Sequence, residues 1–354
     1  MALRRFPCVV SDGFSVSVVI PAYNEAARVG AAIESVRRQT EAAAEIIVVD
    51  DGSSDATAEI AAAAGARVVS KSNGGLSSAR NRGIREASAA WVAFLDADDH
   101  WYPDKLAWLR RAHKLRPEAG LVFTDIEIIQ EGVLAEPRLR AVPQYRSLPK
   151  ELLDDSIVLI ERAQLTQALV AGNFLSSSTL AVRRSLVLEH ELFYDETLPA
   201  TPAYHVSEDI EWYLRALKWT DAIVIERVLA DYCRHEGTLS ASAGRLKFGD
   251  VKLGERIAAT PERYADGVAA RFLRLRGYHL RSAAELYLRE LDFRSARAML
   301  GAAQREAFRL DVLALQAAAG ALDNPPGRAA SAFARRTWKR RLKPALQKLQ
   351  RARP

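Results

Sequence analysis

Val16-Ser17-Val18-Val19-Ile20-Pro21-Ala22-Tyr23-Asn24-Glu25 opens with five residues of strand character and breaks at a proline, which lacks a backbone donor and bends the chain. The pattern recurs. Short β-branched apolar runs fall at 16–20, 45–49, 66–70, 91–95 and 120–124. Between them lie 26–39, 55–64, 76–87 and 104–115, rich in Ala, Arg, Glu and Leu and short of internal Gly and Pro. Strand-like runs alternating with helical stretches predict βαβ units and an α/β fold with a mostly parallel sheet flanked by helices. Ligands bind such sheets at the carboxyl ends of the strands, so the loops after 20, 49, 70 and 95 are where chemistry is expected.

The first of these loops, Pro21-Ala22-Tyr23-Asn24-Glu25, offers the Tyr23 ring as a face on which a nucleobase could stack. Its plainer reading is a strand-to-helix turn. The second, Asp50-Asp51-Gly52-Ser53-Ser54-Asp55, holds one acid more than helix capping needs, since Ser53, Ser54 or Asp55 can cap. A carboxylate only accepts hydrogen bonds, so Asp51 in a base plane would take the N3–H of uracil or thymine and reject cytosine. Guanine carries a similar N–H. In the third loop Asn73-Gly74-Gly75 lets backbone approach a ligand, and neither GxGxxG nor GxxxxGK[ST] occurs there, which removes the dinucleotide and P-loop readings. The fourth, Phe94-Leu95-Asp96-Ala97-Asp98-Asp99, sets Asp96 and Asp98 on one side of the chain. Hard oxygens so placed suit Mg²⁺ or Mn²⁺ on a diphosphate, and equally suit a cluster that caps the following helix.

Taken in order with Ala79-Arg80-Asn81, these four loops make the chain resemble a family 2 glycosyltransferase of the GT-A fold, over about residues 14–240 and most strongly to 110. The resemblance implies a nucleotide-sugar donor, most simply a UDP-sugar, a divalent cofactor, Mn²⁺ or Mg²⁺, and a glycan or lipid-linked acceptor. It assigns the donor to Pro21, Ala22, Tyr23, Glu25, Asp51, Gly75, Asp96 and Asp98, with Asp98 on the metal and Asp96 near the ribose or donor sugar. Ser207-Glu208-Asp209 is similar to the motif whose Asp is the catalytic base, here Asp209. Tyr232-Cys233-Arg234-His235 is similar to a late Tyr-Arg-x-His motif whose His approaches the metal, with Cys233 in the usual Arg position. Trp101, His205 and Trp212 are candidates for an aromatic acceptor floor, or for core. The chemistry implied is a single displacement with inversion, since a retaining route needs a second nucleophile.

The 354 residues carry a net charge of +6 that hides an asymmetry, −7 over residues 1–250 and +13 over 251–354. This composition is that of a folded globular protein, without a disulfide framework or a membrane-spanning run, and predicts a cytoplasmic protein. The expected organisation is a glycosyltransferase domain over 1–250, with a donor half at 14–124 and an acceptor half at 170–240, a helical region at 251–327 and a basic tail at 328–354. Residues 125–170, with Pro137, Pro143 and Pro149, read as an insertion over or beside the sheet. The tail has ten Lys and Arg and no acid, with Trp338, Leu342, Leu346 and Leu349 at helical spacing, broken by Pro344. That profile suits an anionic membrane surface at the inner face or a solvated tail; nucleic acid is not expected, for lack of aromatic interleaving. Two rival functions stay open, a catalytically silent nucleotide-binding or assembly protein, and a sugar nucleotidyltransferase that would release pyrophosphate from a nucleoside triphosphate.

Overall fold

The computed structural model describes residues 13–130, 133–134, 137–198, 205–234, 242–290 and 292–306. They fall into two compact units. The first holds the described residues up to 169 with 173–196 and 208–234; the second holds 170–172, 197–198, 205–207 and those from 242 on.

The first unit is built on one sheet. Its strands are β1 (Val16–Ala22), β2 (Glu45–Asp50), β3 (Arg67–Ser70), β4 (Trp91–Phe94), β5 (His100–Trp101), β6 (Leu121–Gln130), β7 (Val133–Leu134), β8 (Glu151–Asp154), β9 (Ile157–Ile160), β10 (Ala181–Arg183) and β11 (Ala222–Arg234). Their order is β3-β2-β1-β4-β10-β6-β11-β9-β8, with β5 beside β11 and β7 beside β6. From β3 to β4 the strands run parallel, as the alternation predicts. The short β10 then enters antiparallel between β4 and β6, and β6 and β11 are again parallel. Every residue of β1 and β4 is buried, which is why those strands read as unbroken apolar runs rather than as alternating ones. On the outer strand β3 both end residues are exposed; Arg67 there pairs with Glu86 and Glu45, a charged finish that suits a sheet edge.

Helices α1 (Val29–Arg37), α2 (Thr57–Ala63), α3 (Leu76–Glu86) and α4 (Lys105–Leu115) occupy the four expected helical stretches, each trimmed at one end or both. α1 starts late because 24–26 donate their backbone N–H groups to Ser53 and Asp55 of the second loop and to Thr57 at the start of α2. α3 lies hard against β1: a Cβ on Gly83 would sit 2.2 Å from Val19 Cγ1, so only glycine allows that approach. Residues 125–170, expected over or beside the sheet, are in part the sheet itself: 125–130 complete the internal strand β6, and the β8–β9 hairpin forms its edge beyond β11, with α5 (Arg138–Ala141), α6 (Pro143–Arg146) and α7 (Arg162–Ala171) between and after these strands. α8 (Arg184–Glu189) and α9 (Glu208–Ala216) follow. β11 runs from Ala222 to Arg234 beside β6 through two irregularities of register.

The second unit holds α10 (Ala243–Ala259), α11 (Val268–Arg289) and α12 (Phe293–Glu306), around buried Val251, Leu280, Tyr287 and Leu300. Between α11 and α12 Asp292 accepts the Ser295 N–H at 3.0 Å. Pro261 opens a short 3-10 turn, Pro261–Arg263, between α10 and α11. No helix among the described residues is long and apolar enough to cross a membrane. His235 and the tail at 328–354 lie outside the described residues.

Candidate functional site

The loops at the strand ends are tied to one another by their own polar groups. Asn24, in the left-handed region at φ 54°, donates its N–H to Ser53 Oγ at 2.9 Å and accepts the Ser54 N–H at 2.8 Å. Glu25 N–H reaches Thr57 Oγ1 at 2.8 Å, and the Glu25 carboxylate pairs with Arg28 at 2.7 Å. Pro21 and Ala22 are buried, whereas Tyr23 is 51% exposed with its ring at the surface of the loop. The surplus acid of the second loop has a definite environment. Asp51 Oδ1 accepts from Lys71 Nζ at 2.6 Å and Gly74 N at 3.0 Å, and Oδ2 from Gly75 N at 2.7 Å. Gly75 has φ +84° at the start of α3, a conformation that L side chains rarely adopt. A carboxylate has about four lone-pair directions, so these three donors leave about one.

In the fourth loop the three acids have three environments. Asp99 is fully buried, accepting from Ser178 Oγ at 2.5 Å and Cys233 N at 3.2 Å, and burial together with the Asp96 and Asp98 charges holds its carboxyl well above the usual range. Asp96 pairs with Arg80 at 2.9 Å. Asp98 is half-buried, and its charge is felt by Arg28, His100 and Cys233. Arg80 reaches the other way to Glu208 at 2.5 Å and is itself buried, so one guanidinium links the fourth loop to the start of α9. Next to Glu208, Asp209 accepts from Asn173 Nδ2 at 3.0 Å. Desolvation and then the Glu208 charge push its pKa up to about 6, against the pull of Arg80, the Ile210 N–H and Asn173. A carboxylate poised near 6 is mostly ionised at neutral pH and basic enough to take a proton.

Two expected residues stand in the core. Trp101 and Trp212 are not an acceptor floor: they are 3% and 0% exposed. Their indole N–H groups are satisfied internally, by Ser178 O at 2.9 Å and Leu192 O at 2.6 Å, and Trp212 stacks on Tyr194 at 5.3 Å. His205 belongs to the second unit; its carbonyl there would lie 1.8 Å from a Cβ on Gly249. Conversely, Arg80, Asn173 and Ser178 are elements of the site that residue-by-residue reading missed. A signal existed for Arg80. It shares a helix face with Gly83 and Ile84 at spacings of three and four, and a charge on a core-facing stripe needs a buried partner.

The chain matches the family model described as Glycosyl transferase family 2 over residues 17–166. It is similar to an uncharacterised glycosyltransferase of Rickettsia prowazekii, 34% identical over 192 residues, 53% of this chain and 56% of that protein. It is also similar to the UDP-Glc:alpha-D-GlcNAc-diphosphoundecaprenol beta-1,3-glucosyltransferase WfgD of Escherichia coli, 34% identical over 125 residues, 34% of this chain and 49% of that protein. The chain thus spans about half the length of the curated relatives it matches. Among solved structures, Staphylococcus aureus TarS 1–349 in complex with UDP-GlcNAc superposes with a TM-score of 0.58 at 18% identity, covering 92% of each chain. The mannosyltransferase PcManGT of Pyrobaculum calidifontis, in complex with GDP-Man and Mn²⁺, gives 0.52 at 19%, covering 90% of this chain and 82% of that one. At these identities the likeness establishes the fold, the GT-A arrangement, and nothing finer.

Proposed function

We propose, from the premise that this chain belongs to glycosyl transferase family 2 through residues 17–166, that it is an inverting glycosyltransferase moving a sugar from a nucleotide-sugar donor to an acceptor hydroxyl. The observation that carries this reading is the Arg80 link, which joins the donor-side loop at Asp96 to Glu208 and bears electrostatically on the neighbouring Asp209. A displacement needs those two parts in one place. The donor half is residues 14–124, the acceptor half 170–240, and the donor is a UDP-sugar. UDP-linked names recur among relative and neighbour, WfgD and the TarS complex, although PcManGT is bound to GDP-Man.

In this mechanism Tyr23 stacks the base, and Pro21, Ala22 and Glu25 shape the loop beneath it. Asp51 accepts the base N3–H on its remaining lone pair, beside the close backbone of Gly75. Asp98 is the residue we assign to a divalent ion, Mn²⁺ or Mg²⁺: it is half-buried in the fourth loop, a hard oxygen donor whose charge acts on Arg28, His100 and Cys233 around it. When bound, such an ion neutralises charge growing on the leaving diphosphate; His235 is the second candidate ligand. Asp209 takes the proton of the acceptor hydroxyl as it attacks the anomeric carbon. Asn173 and Arg80 fix its orientation and hold down its pKa. The acceptor in this reading is a lipid-linked diphosphate and the product part of a cell-surface glycan; the diphosphoundecaprenol substrate in the WfgD name supports the acceptor class. The basic stretch 328–354 is the segment we assign to an anionic membrane surface.

Incubation of the full chain with a panel of UDP- and GDP-sugars, Mn²⁺ and lipid-diphosphate acceptors is expected to release nucleoside diphosphate and to form a product of inverted anomeric configuration. Binding without turnover on any pair points instead to a silent binding protein, and pyrophosphate release from UTP and a sugar phosphate to a nucleotidyltransferase. Asp51→Asn exchanges an acceptor for a donor and is expected to lower the UDP-to-CDP affinity ratio by about tenfold, the worth of one discriminating hydrogen bond. Because any loosening of the Lys71–Gly75 contacts weakens both nucleotides, the ratio isolates base selection. An unchanged ratio by calorimetry removes Asp51 from that role.

A further inference from the structure

The antiparallel pair β5–β11 sets His100 directly opposite Asp231, and Cys233 follows on the same face two residues later. The three side chains converge. His100 Nδ1 lies 3.0 Å from Asp231 Oδ1, and Cys233 Sγ lies 3.9 Å from His100 Nδ1 and 3.7 Å from Asp231 Oδ1. Both contacts to the histidine fall on the same ring nitrogen. A nucleophile–base–acid relay needs the two partners on opposite nitrogens of the imidazole, so the cluster is not a thiol triad.

The same convergence is what chelation requires. In a tetrahedral Zn²⁺ site with Zn–S near 2.3 Å and Zn–N or Zn–O near 2.0–2.1 Å, neighbouring ligand atoms stand about 3.3–3.6 Å apart. The three separations here scatter about that range and describe one face of such a tetrahedron. We propose that His100, Asp231 and Cys233 form a cation site for a borderline ion of the Zn²⁺ class, separate from the ion assigned to Asp98, with a fourth position open to water or ligand. The donor set makes the distinction: imidazole with a sulfur ligand selects Zn²⁺ or Co²⁺, whereas oxygen ligands suit Mg²⁺ or Mn²⁺. The surroundings favour a cation, since the Asp98 charge also acts on Cys233 and His100. Asp231 is nearly buried and His100 is 36% exposed, which gives a rigid floor and a way in. Binding displaces the thiol proton and takes His100 as the neutral imidazole with its proton on Nε2, which leaves Nδ1 to the metal.

Co²⁺ added to the full chain is expected to bind one per chain, with a thiolate-to-cobalt charge-transfer band that stoichiometric Zn²⁺ abolishes. Cys8 is the other cysteine in the sequence; Cys8→Ser and Asp98→Ala are expected to keep the band, and Cys233→Ser to lose it. His100→Gln, at a partly exposed position that leaves folding intact by circular dichroism, is expected to weaken Zn²⁺ by more than about tenfold. Absence of the band in the wild type, its survival in Cys233→Ser, its loss in Cys8→Ser, or unchanged Zn²⁺ affinity in His100→Gln overturns the proposal. Loss of the band in Asp98→Ala also overturns it, because the ion would then belong to the donor site.

Discussion

Asp209→Asn is expected to lower sugar transfer by about 10²- to 10⁴-fold, the range that a positioned general base contributes, while UDP binding and the melting temperature stay near those of the wild type. The side chain keeps its shape and its contact with Asn173 but cannot take a proton. The wild-type rate carries a second signature. Because the Asp209 pKa is raised to about 6 and the base works only when ionised, transfer is expected to be full above that pH. It falls roughly tenfold per unit below it, about two units earlier than an ordinary carboxylate would impose. Glu208→Gln removes the charge that raises Asp209, so its acid limb moves to lower pH and its rate loss is the smaller of the two. An Asp209→Asn enzyme with near wild-type turnover, or one whose loss tracks lost fold or lost donor affinity, excludes Asp209 as the base.

Arg80→Gln carries the second large effect, on stability and on the same pH limb. The guanidinium is buried between Asp96 and Glu208, and its removal leaves Asp96, Glu208 and Asp209 close together without it. Breaking one side of a buried charge network costs about 3 kcal/mol, so the urea midpoint is expected to fall accordingly with the slope unchanged. Arg80 also holds the Asp209 pKa down. The acid limb of transfer in Arg80→Gln is therefore expected to move to higher pH, opposite to Glu208→Gln. A variant of wild-type stability with an unmoved limb removes Arg80 from the link between the two halves.

How legible these features were in the sequence depended on how local their causes are. The parallel half of the sheet was readable because β1, β2 and β4 are buried runs ending at turns, a short-range pattern. The insertion of β10 between β4 and β6 was not, since the partners of Ala181 are Ala93 and Val122, far along the chain. Asp51 stood out as one acid too many for capping, yet its engagement by Lys71, Gly74 and Gly75 comes from the next loop. Trp101 and Trp212 were open to both readings from composition; burial and the Ser178 and Leu192 carbonyls place them in the core. Asn173 meets Asp209 across 36 residues, and no spacing rule spans that distance.

Calorimetric titration of UDP into the full chain, with Mn²⁺ and again with chelator, for the wild type and for Asp98→Ala, tests the nucleotide-sugar site most directly. The proposed site predicts saturable one-to-one binding that requires the ion and weakens by at least about tenfold in Asp98→Ala, with folding unchanged. UDP affinity that is the same with and without the ion in both proteins, or no binding of any nucleoside diphosphate to the folded wild type, would contradict it.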